Sequence, residues 1–408
     1  MWRSLALALA LALASGCGGV APEAPKKTGS SSSKGMKPAA APEPSSSAPA
    51  APLTGSLFQV DVLDIGQGDA ILLRSPGGKT ALIDAGTGQQ GESALPLLQE
   101  LGVKSLDLVV ATHPHSDHIG GMDEVLSALP AKLYLDNGLP HETSTYNKLM
   151  KLVESKKIAY KAAKVGQTFN MDTVKLTVLN PSGDPISGTR SDLNANSVVI
   201  RATYGDTCFL FVGDAEAETE ERLLANKVAR CDVLKAAHHG SGYASSEAFL
   251  SAVKPGIVLI SVGEGNSYGH PDPSALERYA AVGARVLRTD QQGTLHVVSD
   301  GRTIQVQPAR GAGATLAAGG SAAASTSASG GGAKGSSAAS HATDSLLDLN
   351  RATQEDLEEL PGVGAKMAEA IVEDRASNGR FKSVDDLARV KGVGPATVER
   401  IRSLVTVR

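Results

Sequence analysis

Cysteine, aromatic residues and positive charge are all scarce in this chain. Three of its 408 residues are cysteine, so at most one disulfide can form within it. Aromatic residues make up 3%. Asp and Glu number 43 against 39 Lys and Arg, a formal charge of −4 that excludes bulk attraction to polyanions. Past the leading segment no run of eighteen apolar residues occurs, which excludes a membrane-spanning helix built on one continuous apolar stretch.

What is present begins with a short basic start, Met1-Trp2-Arg3, and an apolar run from Leu5 to Ala14. That run is too short to span a bilayer but suits the central region of a signal peptide. Ala14-Ser15-Gly16-Cys17 resembles the lipobox of bacterial lipoproteins, with Ala14 where Leu is usual. The resemblance implies removal of residues 1–16 and acylation of Cys17; plain secretion with a free Cys17 is the alternative. Either reading places the mature protein outside the cytoplasm, lipid-anchored in the cell envelope or secreted.

Residues 17–54 are Pro, Ala, Ser, Lys and Gly with almost no large apolar side chain, a composition expected of a tether. Residues 309–343, richer in Gly and Ser, read as a second linker. They bound a large domain, 55–308, and a small one, 344–408. With Cys17 acylated, Cys208 and Cys231 remain. Each opens a strand-like run, so parallel neighbouring strands would allow a disulfide, and two buried thiols are equally compatible.

The large domain alternates strands and helices. Leu57–Leu63, Ala70–Ser75 and Thr80–Asp84 read as strands, and Ser93–Leu101, Met122–Leu129 and Tyr146–Ser155 as helices. Strands Ser197–Thr203, Thr207–Val212, Asp232–Ala237 and Ile257–Val262 follow, with a helical stretch from Ala215 to Asn226. Helix Pro273–Val282 precedes a closing pair of strands, Arg285–Arg288 and Thr294–Val298. Mixed sheets with helices on their outer faces are expected.

Chemistry-bearing residues gather where strands end. His113, His115, Asp117 and His118 occupy one strand-to-helix turn, and imidazole with carboxylate is a donor set for zinc and similar ions. Asp84, Asp214, the pair His238-His239 and His270 also follow apolar runs, at sheet edges where sites form. Taken singly, Asp214 also fits a helix N-cap, and so does His270.

The order Asp84, His113-x-His115-x-Asp117-His118, Asp214, His238-His239 resembles the metallo-β-lactamase fold. Asp64-Ile65-Gly66-Gln67-Gly68-Asp69-Ala70, Leu234-Lys235-Ala236-Ala237-His238-His239-Gly240-Ser241 and Tyr268-Gly269-His270-Pro271 narrow it to the extracellular hydrolase domain of the ComEC family of DNA-uptake proteins. The resemblance implies an αββα sandwich with two divalent metal ions, zinc or manganese, at one sheet edge. His113 and His115 would hold one ion, Asp117 and His118 the other, and Asp214 would bridge. His238 or His239 would complete the set. Asp84 would orient the ligand loop, while Asp64 and Asp69 would reach the outer surroundings of the metals or merely shape their Gly-rich turn. Asp117, Asn194, Asn196, Ser241 and His270 are candidates for the chemistry itself. In the interval where hydrolases of this fold supply a further His, this chain has Asn194-Ala195-Asn196-Ser197, which leaves the first metal short of an imidazole. The many transmembrane helices that accompany this domain in the ComEC family are not expected.

The small domain repeats itself. Leu360-Pro361-Gly362-Val363-Gly364 and Val390-Lys391-Gly392-Val393-Gly394 each join two short helical stretches, which open with Ser/Thr–x–x–Asp capping patterns. Such turns leave backbone N–H groups at a helix N-terminus, a cradle for phosphate. The pattern, with Leu349-Asn350 and Asn378-Gly379-x-Phe381, resembles the paired helix-hairpin-helix domain of ComEA-type DNA receptors, a small all-α fold. It implies that Gly362, Gly364, Gly392 and Gly394, with Lys366, Lys391 and Thr397 nearby, contact the DNA backbone without reading bases. Residues 344–408 hold 12 acidic and 10 basic side chains, a net of −2, so affinity would rest on the turns. Together the parts predict an envelope nuclease with a DNA-binding module, acting in DNA uptake or on extracellular DNA, with other uptake proteins as partners. Hydrolysis of a wall phosphodiester or a lactam, and a DNA receptor with an inactive hydrolase domain, are the competing readings.

Overall fold

The computed structural model describes residues 55–88, 93–266, 268–320, 347–350, 352, 357, 360, 363–402 and 404–407. The signal segment, Cys17, the 17–54 tether, residues 321–343, the first capping pattern and Gly362 lie outside them.

In chain order the large domain's strands are β1 (Phe58–Val62), β2 (Ile71–Arg74), β3 (Thr80–Ile83), β4 (Leu108–Val110), β5 (Leu133–Asp136), β6 (Ala159–Ala162), β7 (Thr168–Met171), β8 (Val174–Asn180), β9 (Val199–Tyr204), β10 (Thr207–Phe211), β11 (Val233–Lys235), β12 (Ile257–Ile260), β13 (Arg285–Arg288), β14 (Leu295–Ser299), β15 (Thr303–Pro308) and β16 (Ala314–Ala317). One sheet runs β16-β15-β14-β1-β2-β3-β4-β5-β6, the other β13-β12-β11-β10-β9-β8-β7.

Alternation along the strands sorts side chains into layers. Val60, Leu73 and Ile83 of the first sheet meet Leu176, Ile200, Phe209 and Leu259 of the second in a core between the sheets. The opposite face of the first sheet, with Leu72, Leu82 and Val109, is covered by α1 (Leu95–Glu100), α3 (Met122–Ala128) and α4 (Ser144–Ser155). The outer face of the second, with Leu210, Leu234 and Val258, lies under α6 (Ala217–Ala225), α7 (Glu247–Val253) and α8 (Pro273–Ala281). Helix, sheet, sheet, helix: the domain is an αββα sandwich.

Several elements depart from the sequence pattern. Strands β5 to β7 are only four residues long, and β6 turns most of its residues to solvent, so neither alternation nor a long apolar run marks it. The expected closing pair separates: β13 is an edge of the second sheet, while β14 pairs with β1 in the first. Residues 309–320, expected as linker, carry β16, whose Ala314 and Leu316 are buried against the sheet. Small residues hid a two-faced edge strand there. Strands β10 and β11 are parallel neighbours, with Phe209 opposite Val233, and Cys208 is disulfide-bonded to Cys231 across a Cα separation of 4.9 Å.

The C-terminal module has its own core of Leu349, Leu357, Ile371, Phe381, Leu387, Val398 and Ile401. Helices Ala365–Asn378 and Pro395–Ile401 flank a 3-10 turn, Val384–Arg389, that opens with a Ser383–Asp386 capping box. Asn350 locks the module shut: its amide donates to the Phe381 carbonyl at 2.9 Å and accepts from the Phe381 N–H at 2.7 Å.

Candidate metal centre

Three chain segments deliver the site's side chains to one edge of the sandwich. Helix α2 (Ser116–Ile119) follows β4 directly, so His113 and His115 sit on the connecting loop and Asp117 and His118 on the first helical turn. Asp214 follows β10 through Gly213, which has φ +53° and whose Cβ would stand 2.8 Å from the Thr112 side chain. Glycine lets that strand end close on the histidine loop. His238 and His239 follow β11 in a turn where both have positive φ, 46° and 51°. Non-glycine residues held there store strain, a feature concentrated at functional sites.

The segments converge on Asp214. Its Oδ2 lies 3.2 Å from Nε2 of His118, 3.7 Å from that of His239, 3.8 Å from that of His238 and 3.9 Å from that of His113. Donor atoms of Asp117, His118, Asp214 and His239 all lie within 4.8 Å of one another, every one of these residues buried. Yet both Asp214 oxygens, Asp117 Oδ1, His118 Nε2 and His238 Nε2 make no hydrogen bond of acceptable geometry. Buried polar atoms that face one another unsatisfied call for a cation between them. This donor set fits divalent metal ions.

The far sides of the rings are anchored as metal-ligating imidazoles require. His118 Nδ1 meets Asp84 at 2.7 Å, His238 Nδ1 meets Glu216 at 2.9 Å, and His239 Nδ1 meets the Ser261 carbonyl at 3.0 Å. Each leaves Nε2 aimed at the cluster. Asp84 also accepts from the Thr112 N–H at 2.8 Å and the Thr112 hydroxyl at 2.7 Å, so one carboxylate orients the ring and pins its loop. His113 Nε2 is 2.9 Å from His115 Nδ1.

Electrostatics follow from packing charges without water. Burial alone would push the His118 imidazole down, but Asp214, Asp117 and Asp84 hold it well above its ordinary range. His239 is held up at about 10 against burial, chiefly by Asp214. Burial would raise Asp214, and His118, His239 and His238 hold it far below the carboxylate range instead. His270 is pushed down to about 2 by burial and by the neighbouring His238 and His239. Its ring lies 5.4 Å from that of His238, with both nitrogens buried and without a hydrogen bond.

Comparison with known proteins agrees with this geometry. Residues 63–264 match the metallo-beta-lactamase superfamily, and residues 343–406 match the helix-hairpin-helix motif. The large domain belongs to the metallo-β-lactamase superfamily. ComE operon protein 3 of Bacillus subtilis is 31% identical over 264 residues, covering 60% of this chain and 33% of the relative. Competence protein ComA of Neisseria gonorrhoeae is 32% identical over 241 residues, covering 58% of this chain and 31% of the relative. ComE operon protein 1 of Bacillus subtilis is 42% identical over 64 residues, covering 16% of this chain and 31% of the relative. The chain thus spans about a third of the length of these relatives. No helix among the described residues is long and apolar enough to cross a membrane.

Not every candidate reaches the centre of this metallo-β-lactamase domain. Asn196 is occupied elsewhere: its amide donates to the carbonyls of Ile186 and Asp192 at 2.8 and 2.6 Å and accepts from the Ile186 N–H at 2.9 Å. It braces a loop. Ser241 is buried, and its hydroxyl accepts from the Tyr243 N–H at 3.3 Å, closing a turn. Asp64 is partly exposed and faces Arg310 at 3.8 Å rather than the histidines. Asp214 caps no helix, since the N-cap of α6 is Glu216, and α8 is capped by Asp272 rather than His270.

Asp69 does reach the centre's edge, together with a residue that carried no sequence-based role. Lys235, fully buried at the end of β11, pairs with Asp69 at 2.8 Å, and Asp69 lies 3.4 Å from His239 Nδ1. Burial would raise Asp69; Lys235 outweighs it. The signal was available: a lysine inside an apolar strand run has no place in a core without a carboxylate partner. Gly68 holds this turn against the metal loop, since a Cβ on it would meet the Asp117 carbonyl at 2.2 Å. Glu216 and Arg190, paired beside His238, by contrast lacked a sequence signal.

In the helix-hairpin-helix module, Gly364 and Gly394 are the N-caps of their helices, and Gly392 has φ +97°. Lys391 and Gly392 are exposed and Thr397 is half-buried; the Lys366 side chain lies outside the described residues.

Proposed function

We propose that the protein is an exported, metal-dependent phosphodiesterase that cleaves DNA in the cell envelope, with Cys17 as its lipid anchor and the helix-hairpin-helix module as its DNA grip. The observation that carries the reading is the convergence of four imidazole Nε2 atoms on Asp214 Oδ2 within 3.9 Å. The competence-related names of the relatives and the helix-hairpin-helix match support DNA as the substrate. The disulfide supports export, because such bonds persist in oxidising compartments.

His113, His115 and His238 would hold one divalent ion, with His238 supplying the imidazole that the Asn194-Ala195-Asn196 interval omits. Asp117, His118 and His239 would hold the other, and Asp214 would bridge the two. The chemistry such a pair supplies, as zinc or manganese, is a nucleophilic water and neutralisation of phosphoryl charge. Asp84, Glu216 and the Ser261 carbonyl fix the rings, so the donors meet the ions without reorganising. His270, whose two buried ring nitrogens make no hydrogen bond, would donate one to a phosphoryl or leaving oxygen. In the module, the N–H groups at Gly362, Gly364, Gly392 and Gly394 would take backbone phosphates. A linker between the domains keeps bound DNA at high local concentration near the centre, so weak grip suffices.

The test is hydrolysis of plasmid and linear DNA by protein lacking residues 1–16, with added manganese or zinc, beside an Asp117→Ala/His118→Ala variant. Metal-dependent cutting that the variant loses is expected. A folded, metal-loaded protein that binds DNA but leaves it intact would overturn the nuclease reading in favour of a receptor.

A further inference from the structure

Tyr243 is the most exposed of the large apolar side chains among the described residues, at 54%, in a chain with seven tyrosines and six phenylalanines. It stands four residues past His239, and nothing in folding asks for it there. An exposed ring contributes little to a core. It is nonetheless held still. Arg278 donates to the carbonyls of Gly242, Ala244 and Ser245 at 3.0, 2.8 and 2.8 Å, so the loop carrying the ring is tied on both sides of it.

One face of the ring is already covered. The Arg190 guanidinium lies 4.1 Å from the ring centroid, and its Nε donates to Glu216 at 3.2 Å. Glu216 in turn holds His238 at 2.9 Å. A single chain of contacts therefore runs from the metal donors to an open aromatic face. A flat, rigid, half-covered ring beside a phosphodiester site suits one ligand chemistry above others: an unpaired nucleobase, which offers a π-face whatever its identity.

We infer that Tyr243 is a stacking platform for the base adjoining the scissile phosphate, with Arg190 as its backing, and that the site selects unpaired DNA. This deepens the nuclease reading and rests on it. Arg190 polarises and orients the ring from behind, leaving the solvent-facing side for the base. A duplex would present no such base without fraying, so single strands and frayed ends are taken first.

The experiment compares full-length protein with Tyr243→Ala and Tyr243→Phe on manganese-dependent cutting of a single-stranded oligonucleotide, the same strand with one tetrahydrofuran abasic residue at each position in turn, and its duplex. Tyr243→Ala is expected to raise KM for the intact single strand roughly tenfold, the factor that about 1.4 kcal/mol of lost base stacking corresponds to. Tyr243→Phe keeps the ring and stays near wild type. An abasic residue beside the cut site brings wild type down to the alanine variant. Equal KM for wild type and Tyr243→Ala, in a protein that cuts DNA, overturns the platform alone. Equal losses in Phe and Ala assign the hydroxyl rather than the face and also overturn it. A wild type that cuts no DNA, although folded and metal-loaded, removes the nuclease reading and this inference together.

Discussion

The two ends of the chain hold their candidate ligands by opposite means. The metallo-β-lactamase domain collects side-chain donors from three segments, buries them and orients three of the rings from behind. The helix-hairpin-helix module presents backbone at exposed turns and carries a slight negative charge overall. The first design concentrates function in individual side chains, so one change empties the site. The second spreads it over backbone N–H groups that no substitution short of proline removes, so it is damaged through backbone geometry or through bulk added at the turn. Single substitutions should therefore act steeply in one region and shallowly in the other.

The steepest loss belongs to Asp214. Asp214→Asn removes the charge on which four imidazoles converge, and hydrolysis is expected to fall at least ~10²–10³-fold, with reduced metal content by elemental analysis. Retained metal and activity would mean that another carboxylate bridges. Asp84→Asn is next. It leaves every proposed ligand in place but weakens the acceptor behind His118, so metal affinity should drop about 10–100-fold in chelator competition. An unchanged affinity would show that Asp84 matters only for holding Thr112.

The module should answer to geometry instead. Gly392 has φ +97°, so Gly392→Ala strains the turn by about 1–3 kcal/mol although its Cβ would meet nothing within 4 Å. Gly394 has φ −91° and equal room, so Gly394→Ala should leave the melting temperature alone. If the turn cradles phosphate, that added methyl still weakens DNA retention severalfold on a gel, while hydrolysis of a small phosphodiester by the other domain is untouched. Loss of DNA retention in Gly392→Ala alone would place the contact elsewhere on the module.

How far the sequence displayed these features depended on where each sits. Ligand-type residues at strand ends stood out because an apolar run stops abruptly at Asp84, Asp214 or His238, and sheet edges in this fold all open on one side. Side chains that act on other side chains did not stand out. Lys235 and Glu216 take their roles from partners 166 and 22 residues away in the chain, Asp69 and His238. Of the two asparagines in Asn194-Ala195-Asn196 that looked chemical, Asn196 is a loop brace, because local carbonyls of Ile186 and Asp192 reach it first, whereas the Asn194 amide donates to Glu216 at 3.2 Å, beside His238. Strand β16 was hidden by Ala and Gly on either side, since its evidence is pairing with β15 rather than composition.

His296 shows the same limit and supplies the smallest prediction. Its place in an alternating strand suggests packing, yet it stands opposite Asp61 in the β1–β14 register, half-exposed, with Nδ1 2.7 Å from the carboxylate. The hydrogen bond to Asp61 raises the imidazole above its ordinary value, more than burial lowers it. A raised folded pKa stabilises through the protonated form, so the contribution is full below the unfolded value of about 6.5 and is lost as pH rises through the folded one. Exposure keeps it under about 1 kcal/mol. In protein saturated with metal, so that the buried histidines stay fixed, the melting-temperature gap between wild type and His296→Gln should therefore be largest near pH 6 and close as pH rises. A gap constant with pH would mean that the pair is held as a neutral hydrogen bond, and that charge at the sheet's surface contributes little to this fold.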